Sequence, residues 1–389
     1  MPPNTLPLLH RAATERASLG GSGFRRALDC IDTHCGGQPA RIVVGGMPDL
    51  PGSSVFDKML HLERHGDALR RLLIFEPRGS PAMMADVIVP SDRAAAGFII
   101  LEQTEYPAMS GHNAICTATA LLEAGIVPMT GPTCEFQLEA PAGLIGIRAR
   151  CSDGLVTSVT VDNVPSFAVH LDATIEVPGL GPVVVDVAWG GMFYVLVDAA
   201  SLGLTLDRGD GARLARFGRM ITQAASEQLP CVHPANPAIN GVTICCLTSP
   251  ATATDRTAAG GETVLRAKNA VAISTGAMDW DAPDSHRAIL DRSPCGTGTC
   301  ARMAVLHAKG ELPLGTCFEH ESITGEVFVG RLSAETRVGE LPAVRPSVTG
   351  RAWVTGYNTL LLRDDDPFQD GFTVGDVWGE PALRLHEDR

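Results

Sequence analysis

A repeated segment is the sequence feature that most constrains the fold. The run DRSPCGTGTCARMAVLHAKG, residues 291–310, reads as a loop of small residues followed by a helix that ends at Gly310. The run MSGHNAICTATALLEAG, residues 109–125, has the same order, and an offset of 185 residues places Ser110 on Cys295 without a gap. An internal repeat is typical of a duplicated structural unit. The chain is therefore expected to fold as two similar halves.

The start of each predicted helix has the properties of an anion-binding site. Gly111 and Gly296 lie at the two starts, where small residues let backbone N–H groups approach a ligand closely. The unpaired donors and partial positive charge of a helix N-terminus favour a carboxylate or a phosphate. The same position lowers the pKa of a thiol, so Cys295 is a candidate base. A buried structural cysteine is the alternative, and the second copy of the segment favours the functional interpretation.

Composition indicates a globular protein that acts on a small molecule. The 389 residues are enough for two domains, and 45% of them are hydrophobic. The net charge of −13 disfavours nucleic acid, whose binding depends on basic residues that meet phosphates. No apolar run reaches the length of a membrane-spanning helix. The expected partner is thus a small molecule rather than nucleic acid or a membrane, and a homodimer is a candidate assembly.

The 11 cysteines are expected to be reduced thiols in a cytoplasmic protein, because the count is odd and the spacing irregular. Cys30, Cys35, Cys245 and Cys246 form no zinc-ligand pattern with histidine and are predicted to be small buried apolar residues. Residues 1–26 contain four arginines and one acidic residue. They are predicted to be a disordered tail, with a transit peptide as the alternative.

Hydrophobic periodicity predicts two β-rich halves. The predicted strands are 41–44, 72–75, 86–89, 97–102, 183–187, 194–197, 241–247, 269–274 and 354–362. The predicted helices lie within 54–65, from Ser110, over 213–227 and from Cys295. A hairpin is expected over 134–150, and the stretch 165–181, rich in turn residues, is predicted to be the linker between the halves.

Seven short runs carry a resemblance to a known family. They are IDTH at 31–34, FEPRG at 75–79, MSGH at 109–112, APAG at 140–143, WGGMFY at 189–194, DRSPCGTGT at 291–299 and GRAW at 350–353. Through these runs the chain resembles the proline racemase superfamily, which includes proline racemase, 4-hydroxyproline 2-epimerase and trans-3-hydroxy-L-proline dehydratase. The run DRSPCGTGT is highly specific, and the resemblance covers roughly residues 27–372.

The resemblance implies an α/β (α+β) fold like that of diaminopimelate epimerase. Two similar domains would each wrap a curled sheet around a central helix, with the active site in the cleft between them. The first domain would comprise residues 27–165 plus about 345–389, because the C-terminal segment of the family returns to it. Residues 166–344 would form the second domain. Ser110 and Cys295 would then face opposite sides of one substrate.

The chemistry that such a site suits is removal of the proton next to a carboxylate. This reaction needs a positioned base and stabilisation of the charge that develops on the carboxylate. The resemblance assigns the backbone around Gly111, His112, Gly296 and Thr297 to carboxylate binding. It also assigns His112 and Asp291 to the ring nitrogen of the substrate. The alternative for His112 is a structural imidazole. The alternative for Asp291 is a residue that merely leads into a helix.

Ser110 stands where racemases of the family carry a cysteine, which disfavours plain proline racemisation. A serine does not become an alkoxide without a strong activating partner, so Cys295 is expected to be the base and Ser110 a proton donor or relay. One strong base is enough to remove the α-proton and expel a β-hydroxyl. The main expectation is therefore a hydro-lyase that converts trans-3-hydroxy-L-proline to Δ1-pyrroline-2-carboxylate, with no metal or organic cofactor. A 4-hydroxyproline 2-epimerase, or a bifunctional enzyme, is the alternative.

Two other classes of protein fit the sequence less well than these enzymes. A non-catalytic amino-acid-binding protein would not need Cys295 and Asp291, and a thiol-dependent redox protein would be expected to carry a Cys-x-x-Cys motif, which is absent. His233 and Trp280 are further candidates for the pocket that holds the substrate ring. For Trp280, a place in the core or on the surface is the alternative.

Overall fold

The computed structural model describes residues 24–257 and 263–378. A tail was expected at residues 1–26. Its residues 1–23 lie outside the described residues, and the first strand begins at Phe24. Residues 379–389, the end of the expected first domain, also lie outside them. Among the described residues, no helix is long and apolar enough to cross a membrane.

Strands and a few helices make up the described chain, which confirms the predicted mixed α/β class. The strands are β1 Phe24–Cys35, β2 Gln38–Gly45, β3 Met84–Val89, β4 Ala96–Leu101, β5 Thr133–Ala140, β6 Gly143–Ser152, β7 Leu155–Asp162, β8 Phe167–Val177, β9 Gly181–Trp189, β10 Phe193–Asp198, β11 Ile244–Thr248, β12 Thr252–Thr257, β13 Thr263–Ser274, β14 Ala288–Leu290, β15 Cys317–Glu321, β16 Val327–Val338, β17 Leu341–Gly350 and β18 Ala352–Arg363. The α-helices are α1 Val55–His65, α2 Asp67–Ile74, α3 Gly111–Glu123, α4 Gly211–Gln228, α5 Gly296–Ala308 and α6 Gly375–Trp378.

A buried helix, α3, organises the first half of the chain. Strands β1 to β7 form the sheet around it, with parallel pairs β2–β3 and β4–β5 and antiparallel hairpins elsewhere. Every residue of α3 from 111 to 122 is buried. Burial on every side places the helix in the core rather than at the surface. Gly125 ends the segment with a φ of 71°, a conformation that favours glycine.

The second half repeats this plan around α5. Its sheet contains β8 to β17, with parallel pairs β10–β11 and β13–β15. Helix α5 has the same 13 residues in length as α3 and lies at the offset of 185. Gly310, at the position that matches Gly125, has a φ of 76°. The repeat in the sequence is therefore a repeat of helix length, burial and terminating glycine.

Two strand pairings join the halves. Strand β7 pairs antiparallel with β17, from Asp162 opposite Ser347 to Val159 opposite Gly350. The C-terminal strand β18 pairs antiparallel with β1 along its whole length. The last long strand of the chain thus lies beside the first strand.

The strand predicted at 72–75 is wrong, because residues 72–74 belong to α2. Leu69, Leu72 and Leu73 recur at helical spacing and are buried on one face of that helix. Asp67 lies in its first turn, where a negative charge is favourable. A short apolar run cannot be assigned to a strand or a helix by its periodicity alone.

The linker predicted at 165–181 is also wrong, because β8 occupies residues 167–177. This strand pairs antiparallel with β9, and Ile175 and Val177 are buried. The turn residues that suggested a linker lie at the ends of the strand and at its second irregular position, where Asp172 has a φ of 51°. The remaining predicted strands, the hairpin and all four predicted helices are present within a few residues of their predicted bounds.

Candidate active site

The N-termini of α3 and α5 abut one another. A Cβ atom added to Gly111 would lie 2.6 Å from the Cα of Gly296, and one added to Gly296 would lie 2.6 Å from the Cα of Gly111. Ser110 and Cys295 are the N-cap residues of the two helices, and each is only 5% exposed. The structure therefore brings together the two ends that sequence analysis singled out. The free N–H groups in the first turns of α3 and α5 therefore lie close together.

Cys295 has an unusual backbone and a specific hydrogen-bonding partner. Its φ is 59° and its ψ is 104°, whereas residues other than glycine rarely have positive φ. The hydroxyl of Tyr194 lies 3.2 Å from Cys295 Sγ and 2.7 Å from Thr297 Oγ1. Strained backbone of this kind concentrates at functional sites, at a cost of about 1–3 kcal/mol.

The pKa of the Cys295 thiol is raised well above its usual value. Burial is the largest cause, and the negative charge of Asp291 adds to it. Hydrogen bonds from Tyr194 and from the backbone of Gly298 act in the opposite direction. The expectation of a thiolate near neutral pH is therefore wrong for this buried setting. The helix end does favour the anion, but desolvation outweighs it.

The Ser110 side of the site contains an imidazole. Ser110 has an ordinary extended backbone, with φ −142° and ψ 122°. Its Oγ lies 3.2 Å from Nδ1 of His112, which is 2% exposed. Burial lowers the pKa of His112, and nearby Asp291 only partly opposes this effect. His112 is therefore neutral at neutral pH.

A neutral imidazole has one nitrogen that accepts a hydrogen bond and one that donates. Nε2 of His112 is buried and has no hydrogen-bond partner among the described residues. If Nδ1 accepts the hydroxyl proton of Ser110, Nε2 carries the proton and cannot accept from a ring nitrogen. Accepting a hydrogen bond from Ser110 and accepting one from the ring nitrogen of a substrate thus exclude one another within one tautomer of His112.

Asp291 is the first residue of the loop between β14 and α5. It is 2% exposed, and its backbone N–H donates to the carbonyl of Val271 at 2.8 Å. Its Oδ1 accepts the N–H of Ser293 at 2.8 Å, and Ser293 Oγ accepts the N–H of Cys295 at 3.1 Å. The charge of Asp291 acts on both His112 and Cys295. The carboxylate is thus anchored beside both helix ends.

The two ring-pocket candidates have partners of their own. The ring of His233 packs against Trp189, with centroids 4.7 Å apart, and its Nδ1 accepts the N–H of Ala235. Trp280 donates to Glu227 at 3.3 Å. In the part of the chain that the structure describes, neither side chain contacts Ser110, His112, Asp291 or Cys295 by a hydrogen bond or ring contact.

Sequence reasoning missed two side chains of this region. Tyr194 was predicted only as a strand residue, although it is the one polar side chain in the buried run FYVLV of β10. Glu102, directly after β4, is buried, and its Oε2 has no partner among the described residues. Burial and the charges of other acidic residues, Asp291 among them, raise its pKa well above the usual value. An acidic residue that ends an apolar strand was the available signal for it.

Comparisons with known proteins show which family the chain resembles over nearly its whole length. The family model described as proline racemase matches residues 30–373. A 4-hydroxyproline 2-epimerase from Streptosporangium roseum is 41% identical over 352 residues, which cover 90% of this chain and 99% of the relative.

Two solved structures are similar over nearly their whole length. A hydroxyproline epimerase from Agrobacterium vitis with bound trans-4-hydroxy-L-proline has a TM-score of 0.82 and 36% identity, and the match covers 93% of this chain and 99% of that one. A probable proline racemase from Agrobacterium radiobacter K84 with bound carbonate has a TM-score of 0.81 and 36% identity, covering 91% and 98%. The chain belongs to the proline racemase family.

Proposed function

We propose that this protein is a 4-hydroxyproline 2-epimerase, which inverts the α-carbon of trans-4-hydroxy-L-proline without a cofactor. The relative that is 41% identical carries this activity in its name. A structurally similar hydroxyproline epimerase holds trans-4-hydroxy-L-proline. Both comparisons support the alternative function from the sequence over the dehydration of trans-3-hydroxy-L-proline that was the main expectation.

The contact of 3.2 Å between Ser110 Oγ and His112 Nδ1 carries the proposal. A serine alone is a poor base, and the sequence offered no evident partner for it. A neutral, buried imidazole beside the hydroxyl can take up its proton, as in other serine–histidine pairs. Epimerisation needs a proton acceptor on one face of the ring and a donor on the other. Ser110 with His112 and Cys295 would fill these roles.

Two protonation states would alternate through the substrate. In the first, Cys295 is a thiol and His112 a neutral imidazole. Ser110 removes the α-proton as its own proton passes to His112, and Cys295 donates a proton to the opposite face. The second state, a thiolate with an imidazolium, runs the same transfers in reverse on the other isomer. The raised pKa of Cys295 and the lowered pKa of His112 both favour the first state.

Asp291 would bind the ring ammonium, because the lone pair of His112 is used by Ser110. A cation beside Asp291 would also cancel a negative charge that raises the pKa of Cys295, which makes the thiolate of the second state easier to form. The substrate carboxylate would lie at the N–H groups of the first turns that begin at Gly111 and Gly296. Those donors would stabilise the charge that develops as the α-proton leaves.

Comparing the two hydroxyproline isomers side by side tests this function. Trans-4-hydroxy-L-proline should give cis-4-hydroxy-D-proline on chiral chromatography, with uptake of one deuterium at the α-carbon in D2O. Trans-3-hydroxy-L-proline should be consumed more slowly, as measured by the cyclic imine that reacts with o-aminobenzaldehyde. If kcat/KM favours the 3-hydroxy isomer by about tenfold, a difference of about 1.4 kcal/mol, the protein is a dehydratase instead.

A further inference from the structure

A buried polar cluster lies behind the catalytic loop of Cys295. Asn269, Thr299 and His320 are at most 1% exposed. Asn269 Nδ2 lies 2.8 Å from the carbonyl oxygen of Pro294, and Thr299 Oγ1 lies 3.2 Å from the same oxygen. His320 lies against both. Its Nδ1 is 2.8 Å from Thr299 Oγ1, and Asn269 Nδ2 lies 2.8 Å from Nδ1 and 3.0 Å from Nε2 of the same ring. Two side-chain donors thus converge on one carbonyl.

One arrangement of protons satisfies every donor in this cluster. The amide nitrogen of Asn269 must face Pro294, because its oxygen there would repel the carbonyl. Its two N–H groups then go to Pro294 and to His320 Nε2. Nδ1–H of His320 donates to Thr299 Oγ1, which leaves the hydroxyl proton of Thr299 for Pro294. Burial lowers the pKa of His320 to about 3, so its ring remains neutral and one nitrogen can accept.

The cluster holds the carbonyl of the peptide unit between Pro294 and Cys295. The N–H of the same peptide unit is held as well. Its carbonyl, on Pro294, has the two donors, while its N–H, on Cys295, donates to Ser293 Oγ at 3.1 Å. On the far side of Cys295, its carbonyl accepts the N–H of Thr299 at 2.8 Å as the first bond of α5. With both neighbouring peptide planes held, the φ of 59° at Cys295 is imposed by its surroundings.

The Ser110 half contains no such strain at its N-cap. Ser110 has the extended φ of −142° that is usual for an N-cap residue. At the position that matches Thr299 in the other helix stands Ala114, which has no hydroxyl. The polar cluster therefore accompanies the strained catalytic residue and not its ordinary counterpart.

We propose that Asn269, Thr299 and His320 form a positioning network, which holds Cys295 in its left-handed conformation and aims its thiol at Tyr194 and the first turn of α5. These residues act through the peptide before Cys295 and do not touch the reacting atoms. The inference rests on the proposed function, because it takes Cys295 to be an acid–base group. Without the network, Cys295 relaxes toward negative φ and its thiol loses the donors that stabilise the anion.

Removing one hydroxyl without changing shape tests the network. Thr299→Val should lower kcat for epimerisation about tenfold, or about 1.4 kcal/mol, with KM changed less than about twofold. Thr299→Ser keeps the hydroxyl and should restore most of kcat. Thr119→Val is the matched control, because Thr119 is a fully buried threonine of α3 whose hydroxyl donates only to the carbonyl of Ile115 in its own helix.

A second measurement does not depend on any substrate. Alkylation of Cys295 by iodoacetamide is followed by peptide mapping over a range of pH. Thr299→Val should move the midpoint of this reaction to higher pH, because the thiolate loses donors, while Thr299→Ser and Thr119→Val should leave it in place. A wild type that turns over neither hydroxyproline isomer would overturn the proposed function, and the alkylation midpoints would still test the network.

Equal kcat and equal midpoints for Thr299→Val and Thr119→Val would overturn the proposal. A loss of kcat that Thr299→Ser does not restore would overturn it as well, since the hydroxyl would then be irrelevant. If Thr299→Val does not fold, His320→Phe replaces it, because phenylalanine keeps a ring and removes both nitrogens. That variant should also lower kcat and raise the midpoint, and unchanged values would again reject the network.

Discussion

The two halves of the molecule share a scaffold and differ at the N-termini of its two central helices. Helices α3 and α5 have equal length, are both largely buried and have a left-handed glycine at the matching position past the helix. Ser110 has a relaxed backbone and a partner two residues on, His112. Cys295 has a strained backbone, and its partner Tyr194 comes from a separate strand. Duplication supplies two helix N-termini with free N–H groups, and local contacts give each end its own surroundings.

The two helix ends also differ in the protonation of their side chains. Burial raises the pKa of the Cys295 thiol and lowers that of the His112 imidazole. The sequence suggested a thiolate base opposite a serine that donates or relays a proton. The structure favours a protonated thiol opposite a serine with a neutral base beside it. Ser110, which the sequence suggested to be the weaker base, thus has a proton acceptor beside it, the imidazole of His112.

Removing the thiol should have the largest effect. Cys295→Ala should lower epimerisation by about 10²–10⁴, because no other group protonates that face of the ring. Slow exchange of the α-proton in D2O should persist for one isomer only, since Ser110 and His112 remain. Proton NMR of each isomer measures this exchange. Retention of more than about a tenth of the wild-type rate would show that Cys295 is not the group involved.

Removing the imidazole tests whether Ser110 depends on it. His112→Phe should lower kcat by about 10²-fold, the loss expected of a general base. Ser110→Ala should cost a similar amount, and the double variant little more, because the two side chains act as one unit. Steady-state kinetics of the four proteins gives this cycle. Additive losses would mean that the 3.2 Å contact has no role in proton transfer.

Separating the two helix ends should reduce stability. Gly111→Ala places a Cβ 2.6 Å from the Cα of Gly296, where backbone rather than a flexible side chain must move. We expect a loss of about 1–3 kcal/mol in the free energy of unfolding, measured in urea. Gly131→Ala is the control, since a Cβ there meets nothing within 4 Å. Equal midpoints for the two variants would mean that the ends are not in tight contact.

The smallest effect concerns pH. One isomer of the substrate reacts with the protonation state in which Cys295 is a thiol. Activity on that isomer should therefore fall at alkaline pH as the thiol ionises. Tyr194→Phe removes a hydrogen bond that lowers the pKa of Cys295. The alkaline limb of kcat/KM for that isomer should therefore move to higher pH. A shift to lower pH would contradict the direction of this hydrogen bond.

Short-range patterns made the fold largely predictable. The offset of 185 located both central helices, their N-caps and their terminating glycines, because these depend on a few adjacent residues. The predictions failed at 72–75 and 165–181. There, pairing and burial against distant elements decided between helix, strand and loop, and neither is visible in a short window of sequence.

The sequence by itself determined the duplicated scaffold, the two helix ends and the residue types at them. Only the tertiary structure decided how those residues behave. The pKa of Cys295 depends on burial and on Asp291 from the preceding loop, and its conformation depends on Asn269 and His320 from other strands. The reason is physical: a helix N-cap is a local feature, whereas desolvation and a fixed peptide plane result from groups far apart in the chain.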